Sequence, residues 1–306
     1  MRILGCLCTR VCRIVLIRWN IKSFRSEFKR RESGCWSESI TLVLLLNYAA
    51  VSVAFAEFDR IAQPVDLIGR GLSGVGSENP ESLLLNPASI ASSLSLQSTL
   101  FYSPSPFGLQ QLSNGGIFLT IPSRYVNSAL TLASIGFSAY REVTGTVSVG
   151  VTIAEGFFAG CNLNINHLSI EGYGSGTNAG IDIGMRMRIV DNFQWGFSLL
   201  NVNRPTIGRI KDPLPQWYLA GFKYEVSPFA DISVDAVKDV RYPLSFRMGT
   251  QFLPVEFVAI RLGISSDPSR YYAGVGLQYA DLHFDYAVVT HTELGLSHSL
   301  GFTFGL

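Results

Sequence analysis

The stretch GLSHSLGFTFGL, residues 295–306, alternates large apolar side chains with small or polar ones. Leu300, Phe302 and Phe304 fall on one face of an extended chain, and glycine, serine and threonine fill the other; only His298 interrupts the apolar face. A period of two indicates a β-strand with one apolar and one polar face. This pattern, repeated along the chain, decides the fold.

The same alternation recurs in about fourteen segments after residue 93, and none shows a sustained helical period. The predicted strands are 94–103, 114–122, 128–139, 143–154, 157–168, 178–190, 193–202, 216–226, 229–238, 243–252, 256–265, 270–280, 281–290 and 295–306. An even number near fourteen is typical of transmembrane β-barrels. The sequence therefore predicts an all-β fold, a transmembrane antiparallel barrel, over residues 94–306.

A soluble β-sandwich also alternates, with its apolar face turned to a dry core, and it stays an alternative. Two features favour the barrel: polar faces rich in Gly, Ser and Thr, and aromatic residues near strand ends that resemble interfacial girdles. These aromatic residues are Tyr102, Trp217, Tyr218, Tyr224, Tyr242, Tyr271, Tyr272 and Tyr279.

The predicted connections differ between the two ends of such a barrel. The longer ones are residues 104–113, 169–177 and 203–215, and the tight ones include 155–156, 191–192, 227–228 and 280–281. Outer-membrane barrels have long loops on the extracellular side and tight turns on the other. We therefore expect the long loops to face outward.

The first 56 residues are predicted to be a leader with a signal peptide. Lys29-Arg30-Arg31 precedes the apolar run 40–56, which ends in a small-x-small pattern that places a cleavage site near Ala56/Glu57. A retained anchor is the alternative, although the run is short for a spanning helix. Residues 1–28 are long for a signal, which indicates a start codon called too far upstream. Export implies a bacterial outer-membrane location and contact with its lipid.

Charge argues against a nucleic-acid partner. The first 56 residues hold nine Lys or Arg against three acids, whereas the rest holds 15 basic and 20 acidic residues. The mature part is therefore mildly acidic, and nucleic-acid binding needs a basic surface.

Gly69, Gly71 and Gly74 form a G-x-G-x-x-G pattern, the spacing of dinucleotide-binding loops. A phosphate site needs a helix directly after the third glycine, and here residues 77–80, SENP, follow instead. We therefore predict no cofactor.

The segment before the first strand resembles the N-terminal signature of the FadL-type outer-membrane superfamily, especially its PorV/PorQ branch. The resemblance rests on Asn86-Pro87-Ala88 behind a glycine-rich lead and on later motifs in order, among them LLNVNRP, DPLPQWYLAGFKYEVSP, ISVDAVKDV and YYAGVGLQY. It implies that residues 57–93 form a hatch inside the barrel. By the same resemblance, Gly69, Gly71 and Gly74 would be hatch backbone, with glycines permitting left-handed bends in a crowded lumen.

Charged residues on the predicted inner faces are expected to pair with one another or with the hatch, because unpaired ions beside lipid are costly. A lining that selects ions is the alternative. The ten residues are Asp182, Arg186, Arg188, Lys223, Glu225, Asp231, Asp235, Arg247, Arg261 and Asp285.

Enzymatic and metal sites are not predicted. The four histidines lie on different segments, and neither H-E-x-x-H nor G-x-S-x-G occurs. Cys6, Cys8 and Cys12 have the C-x-C-x3-C spacing, but the leader supplies no folded fourth ligand.

Three functions stay open. As the FadL-type resemblance implies, the barrel would carry small hydrophobic molecules across the outer membrane. As the PorV/PorQ resemblance implies, it would serve type IX secretion by binding secreted protein cargo. A structural or assembly barrel is the third.

Overall fold

The computed structural model describes residue 58 and residues 62–208, 211–291 and 294–305. The predicted leader, its cysteines and the cleavage site near Ala56/Glu57 lie outside the described residues. Within the described ranges, no helix has the length and apolar character needed to cross a membrane.

Fourteen antiparallel strands form one closed barrel, which confirms the predicted fold class. Its strands are β1 (Gln97–Ser103), β2 (Asn114–Ile121), β3 (Asn127–Gly136), β4 (Tyr140–Ala154), β5 (Phe157–Ile170), β6 (Gly174–Val190), β7 (Phe193–Leu200), β10 (Trp217–Ser227), β11 (Ala230–Asp239), β12 (Leu244–Val255), β13 (Val258–Ser266), β14 (Ser269–Tyr279), β15 (Leu282–His291) and β16 (Gly295–Gly305). Two further strands, β8 (Thr206–Ile207) and β9 (Asp212–Pro213), pair with each other in the connection from β7 to β10. The first and last strands close the ring, with Thr99 opposite Thr303.

The alternation of side chains separates an apolar outer surface from a polar interior. Leu262, Val275 and Phe302 point outward and are 55%, 43% and 45% exposed, whereas the inward Arg261 and Thr303 are 9% and 7% exposed. A sandwich would bury the apolar set against a second sheet. The sandwich alternative is therefore wrong, and closure leaves the barrel without an unpaired edge.

The two ends of the barrel differ in their connections. One end, the long-loop end, carries the connections 104–113 and 201–216; the other, the tight-turn end, carries two-residue turns such as 155–156, 191–192 and 228–229. The long connection predicted at 169–177 is wrong, because β5 and β6 keep pairing until Ile170 meets Gly174. Glycine, serine and threonine in that stretch continue the ladder, although their composition resembles a loop.

Residues 62–93 pack against the inward faces of strands on opposite sides of the ring. They comprise helix α1 (Val65–Gly69) and two 3₁₀ turns, Pro80–Leu84 and Pro87–Ser92. The helix contacts β13 to β16, and the second turn contacts β3 to β6. We call residues 62–93 the lumenal segment. The first strand begins at Gln97, after an almost fully exposed Leu94, three residues later than predicted.

The apolar core lies where this segment meets the wall. Leu67, Val75 and Leu85 of the segment pack with Leu200 and Leu219 of the wall, all at 2% exposure or less. A second cluster joins the segment to the opposite wall through Leu83, Leu84, Ile90, Phe118 and Ala129.

Candidate functional site

The Asn-Pro-Ala motif begins the second 3₁₀ turn and ties it to the wall. Asn86 is fully buried, accepts the Ala88 N–H at 3.1 Å, and donates to the carbonyl oxygens of Val75 at 2.7 Å and Met185 at 2.9 Å. Its side chain thus caps the turn and bridges segment and strand at once. Pro87 starts the turn, where its missing N–H costs no hydrogen bond.

Inward-facing glycines let the lumenal segment lie directly on the strands. A Cβ at Gly160 would stand 2.4 Å from both the carbonyl carbon and oxygen of Pro87, and one at Gly184 would stand 2.1 Å from Asn86 Oδ1. No larger residue fits at such distances without moving the turn. Further wall glycines in close contact with the segment are Gly150, Gly196, Gly249, Gly263, Gly274 and Gly301.

The three glycines of the G-x-G-x-x-G pattern belong to this backbone contact. Gly69 ends α1, Gly71 has a φ of +70°, and the Gly74 N–H donates to Asp235 Oδ2 at 2.7 Å. The Val75 N–H donates to the same oxygen at 3.1 Å. The Asp235 carboxylate of the wall therefore accepts hydrogen bonds from two adjacent backbone N–H groups of the segment, as a bound anion does in a backbone nest.

Five charged residues form a network at the tight-turn end, which we call the ion cluster: Asp66, Arg70, Asp231, Arg261 and Asp285. Arg70 pairs with Asp66 at 3.2 Å and with Asp231 at 3.1 Å. Arg261 pairs with Asp66 at 2.5 Å and contacts Asp285 as well. Two of these residues come from the segment and three from the wall, so the cluster joins the two.

Two further predicted arginines lie on β6 and meet Glu78 of the segment. Arg186 is fully buried and lies 3.7 Å from Glu78, with its guanidinium 4.0 Å from the centroid of the Phe158 ring. Arg188, near the barrel rim, lies 3.6 Å from the same carboxylate.

The remaining predicted charges have partners of several kinds. Asp182 accepts the N–H of Asn201 and the amide of Asn164, both at 2.8 Å. Lys223 pairs with Glu225 at 2.8 Å on its own strand. Arg247 donates to the Leu72 carbonyl at 3.3 Å.

Glu81 is a buried acid of the segment held in its neutral form. Burial raises the pKa of Glu81 to about 8, and the nearby carboxylates of Asp66 and Asp285 act in the same direction. Thr99 and Thr303 each donate to Oε1 at 3.0 Å, and Oε2 has no hydrogen-bond partner among the described residues. Above pH 4.5 the unfolded chain ionises this group before the folded protein does, so stability falls as pH rises towards about 8.

Two cavities lie on opposite sides of α1. The outer cavity, of about 550 Å³ at the long-loop end, is lined by Ile68 and Leu72 of the segment. The inner cavity, of about 270 Å³ at the tight-turn end, is lined by Asp66 and Arg70. Asp66 and Ile68 are two residues apart in α1, which places their side chains on different sides of the helix, and Arg70 and Leu72 lie in the turn that follows it.

The outer cavity is the candidate functional site, because it has an apolar wall inside the lumen and lies at the end with the long connections. Its size is within the range of small-molecule sites. The lining combines aliphatic, aromatic, small polar and charged side chains: Ile68, Leu72, Ser103, Pro106, Phe107, Asn114, Trp217, Val237, Asp239, Tyr242, Pro243, Ser245, Arg247, Asp267, Pro268, Arg270, Tyr272, Val289, Ser297 and Ser299.

Sequence reasoning missed several residues of these sites. It named the wall charges but not their partners Asp66, Arg70 and Glu78, although the four-residue spacing of Asp66 and Arg70 was a signal. It also placed Trp217 and Tyr272 in the girdles. That placement is wrong, because both line the outer cavity. Among the described residues, no group of three or more His, Cys, Asp or Glu side chains is placed to hold a metal ion.

Solved structures of hydrocarbon channels share this architecture. The CymD monoaromatic hydrocarbon channel matches with a TM-score of 0.60, covering 81% of this chain and 99% of that chain at 11% identity. The toluene transporter TbuX of Ralstonia pickettii matches with a TM-score of 0.58, covering 80% and 98% at 9% identity. A Pseudomonas aeruginosa FadL homologue gives 0.54, covering 79% and 97% at 11% identity.

This chain shares the barrel fold of these three structures. At such identities the likeness concerns the fold alone. No family model matches the chain, and no curated protein matches its sequence.

Proposed function

We propose that this protein is a channel of the bacterial outer membrane that carries small hydrophobic molecules. The observation that carries the proposal is the outer cavity, an apolar-lined space of about 550 Å³ inside a closed barrel. Ile68 and Leu72 form its floor, and Pro106 and Phe107 come from the long connection between β1 and β2.

The outward face supports the membrane location. Side chains such as Leu262, Ile264 and Phe302 stay 45–55% exposed around the ring, and an apolar surface of this extent is stable only in lipid. The fold shared with a monoaromatic hydrocarbon channel and a toluene transporter supports the substrate class.

Uptake of radiolabelled toluene by cells that produce the full chain tests this proposal. Ser299 is 3% exposed and lines the outer cavity, so Ser299→Phe places a ring in it. The matched control is Leu300→Phe on the outward face, where Leu300 is 43% exposed. We expect Ser299→Phe to slow uptake at least about tenfold and Leu300→Phe to leave it unchanged. Uptake no faster than in cells without the protein would refute the proposal.

Secreted protein cargo is the second candidate, supported by the PorV/PorQ-like order of sequence motifs. Cargo binding needs large surfaces at the long-loop end, and there the longest connection is 201–216. Affinity purification from a strain with type IX secretion distinguishes the candidates, since a secretion component retains exported proteins and a small-molecule channel does not.

A further inference from the structure

We propose that the outer cavity selects aromatic carboxylates and that Arg247 and Arg270 hold the carboxylate group. This inference rests on the proposed function and names its substrate class. An aromatic carboxylate differs from a neutral hydrocarbon by its charge and from an aliphatic acid by its ring.

Arg247 is a cation in the cavity wall without an acidic partner. Its guanidinium donates to the Leu72 carbonyl at 3.3 Å and lies 5.6 Å from the centroid of the Trp217 ring. Asp235 is the acid that acts on it electrostatically, but one Asp235 oxygen is held by two N–H groups of the lumenal segment. Within the described ranges, no carboxylate lies within 4.0 Å of the Arg247 guanidinium.

Arg270 is the second such cation, at the start of β14. Its guanidinium lies 5.5 Å from the centroid of the Phe107 ring, and its Nε is buried without a hydrogen-bond partner in the described part of the chain. An unsatisfied buried donor on a charged group is costly unless a ligand accepts from it.

The acids of the same cavity do not neutralise these two arginines. Asp239 pairs with Arg241 at 2.8 Å and accepts the Trp217 indole N–H at 2.8 Å. Asp267 is exposed at the turn between β13 and β14 and forms no ion pair among the described residues. Arg247 and Arg270 therefore have no carboxylate partner among the described residues, and a carboxylate is the group that planar guanidiniums bind best.

The aromatic side chains that line the cavity favour a ligand with a ring. Four aromatic side chains line the cavity: Phe107, Trp217, Tyr242 and Tyr272. Aromatic rings gain stability from contacts with other rings beyond the burial of area, and an alkyl chain does not. The Trp217 ring lies beside the Arg247 guanidinium, and the Phe107 ring lies beside that of Arg270. A ligand ring can therefore contact these aromatic side chains while its carboxylate binds the guanidiniums.

The test measures binding of three probes to the purified full chain in neutral detergent by equilibrium dialysis. The probes 4-methylbenzoate and 1,4-dimethylbenzene differ by a carboxylate in place of a methyl group, and octanoate supplies the charge without a ring. We expect 4-methylbenzoate to bind at least about tenfold more tightly than 1,4-dimethylbenzene, since a charge-assisted hydrogen bond exceeds a neutral contact by such a factor, and more tightly than octanoate, which lacks the ring contacts.

The variants Arg247→Gln and Arg270→Gln assign the effect to the two residues. Each is expected to weaken 4-methylbenzoate about tenfold and to leave 1,4-dimethylbenzene unchanged, which also shows that the variant is folded. Arg124→Gln, at an exposed site in the connection between β2 and β3, removes the same charge and is expected to change nothing. If Arg247→Gln does not fold, Arg247→Lys keeps the charge and should bind 4-methylbenzoate more weakly than the parent.

The outcomes separate this inference from the proposed function. Equal binding of 4-methylbenzoate and 1,4-dimethylbenzene, unaffected by either arginine, overturns the inference and leaves a hydrocarbon channel. Octanoate binding as tightly as 4-methylbenzoate overturns the aromatic preference. Binding of no probe, together with no toluene uptake by cells, overturns the proposed function itself.

Discussion

Replacing Gly160 by alanine tests whether the Asn-Pro-Ala turn is held by backbone contact with the wall. The new methyl group would stand 2.4 Å from the Pro87 carbonyl, and ordinary contact needs about 3.5 Å, so the turn must retreat by about 1 Å. The Asn86 hydrogen bonds of 2.7 and 2.9 Å would then exceed the length at which such bonds persist.

The cost follows from these two losses. Overpacking costs about 1–3 kcal/mol and two lost hydrogen bonds about 1 kcal/mol each, which gives about 3–5 kcal/mol for attachment of the turn. Local opening of residues 80–93 would become about 100-fold more frequent or more, because each 1.4 kcal/mol is about a factor of ten.

Amide hydrogen exchange of peptides from residues 80–93, followed by mass spectrometry in detergent, measures this opening. The matched control is Gly145→Ala, another β-strand glycine, whose Cβ meets nothing within 4 Å. We expect faster exchange in Gly160→Ala only. Equal protection of the turn in both variants would refute the reasoning, since it would mean that the wall accommodates a methyl group there without moving the turn.

Three further predictions concern charge and lipid. Glu81→Gln should remove a fall in stability between pH 4.5 and about 8, measured as the unfolding midpoint at pH 5 and pH 9; an unchanged pH dependence would contradict the assignment. Arg261→Met should destabilise the protein by about 3–5 kcal/mol because it leaves Asp285 without its ion-pair partner and Asp66 with Arg70 alone, and denaturant titration of parent and variant measures this. Leu262→Arg should cost about 2–4 kcal/mol in folding into lipid vesicles if Leu262 lies near the bilayer midplane, whereas equal folding yield in detergent would show that the cost comes from lipid.

Most of the fold could be predicted from the sequence because its signal is local. Side chains alternate in each strand regardless of its partner, so β11 was expected at 229–238 and is found at Ala230–Asp239. The exception lies at β5 and β6, where the Gly/Ser/Thr stretch 169–177 was expected to be a loop. Residues 169–177 pair outside the part of β5 and β6 that carries the apolar outer face. Alternation cannot be read from a stretch that is mostly polar on both faces.

The candidate site could be predicted only in part. An inward position follows from parity along a strand, and Asp182, Asp235 and Asp285 are at most 5% exposed. Partners across the lumen depend on how residues 62–93 fold, and a segment with one helical turn and two 3₁₀ turns has no period to read. Trp217 and Tyr272 were assigned to the girdle by nearness to strand ends, although the parity of their own strands points them inward.

The position of α1 explains why both its apolar and its charged residues are buried. The helix and the residues just after it separate the two cavities, so Ile68 and Leu72 meet the outer one while Asp66 and Arg70 meet the inner one. A helix this short is not stable alone. Its conformation is therefore set by its contacts on both sides, by the ion cluster below and by Arg247, which holds the Leu72 carbonyl, above.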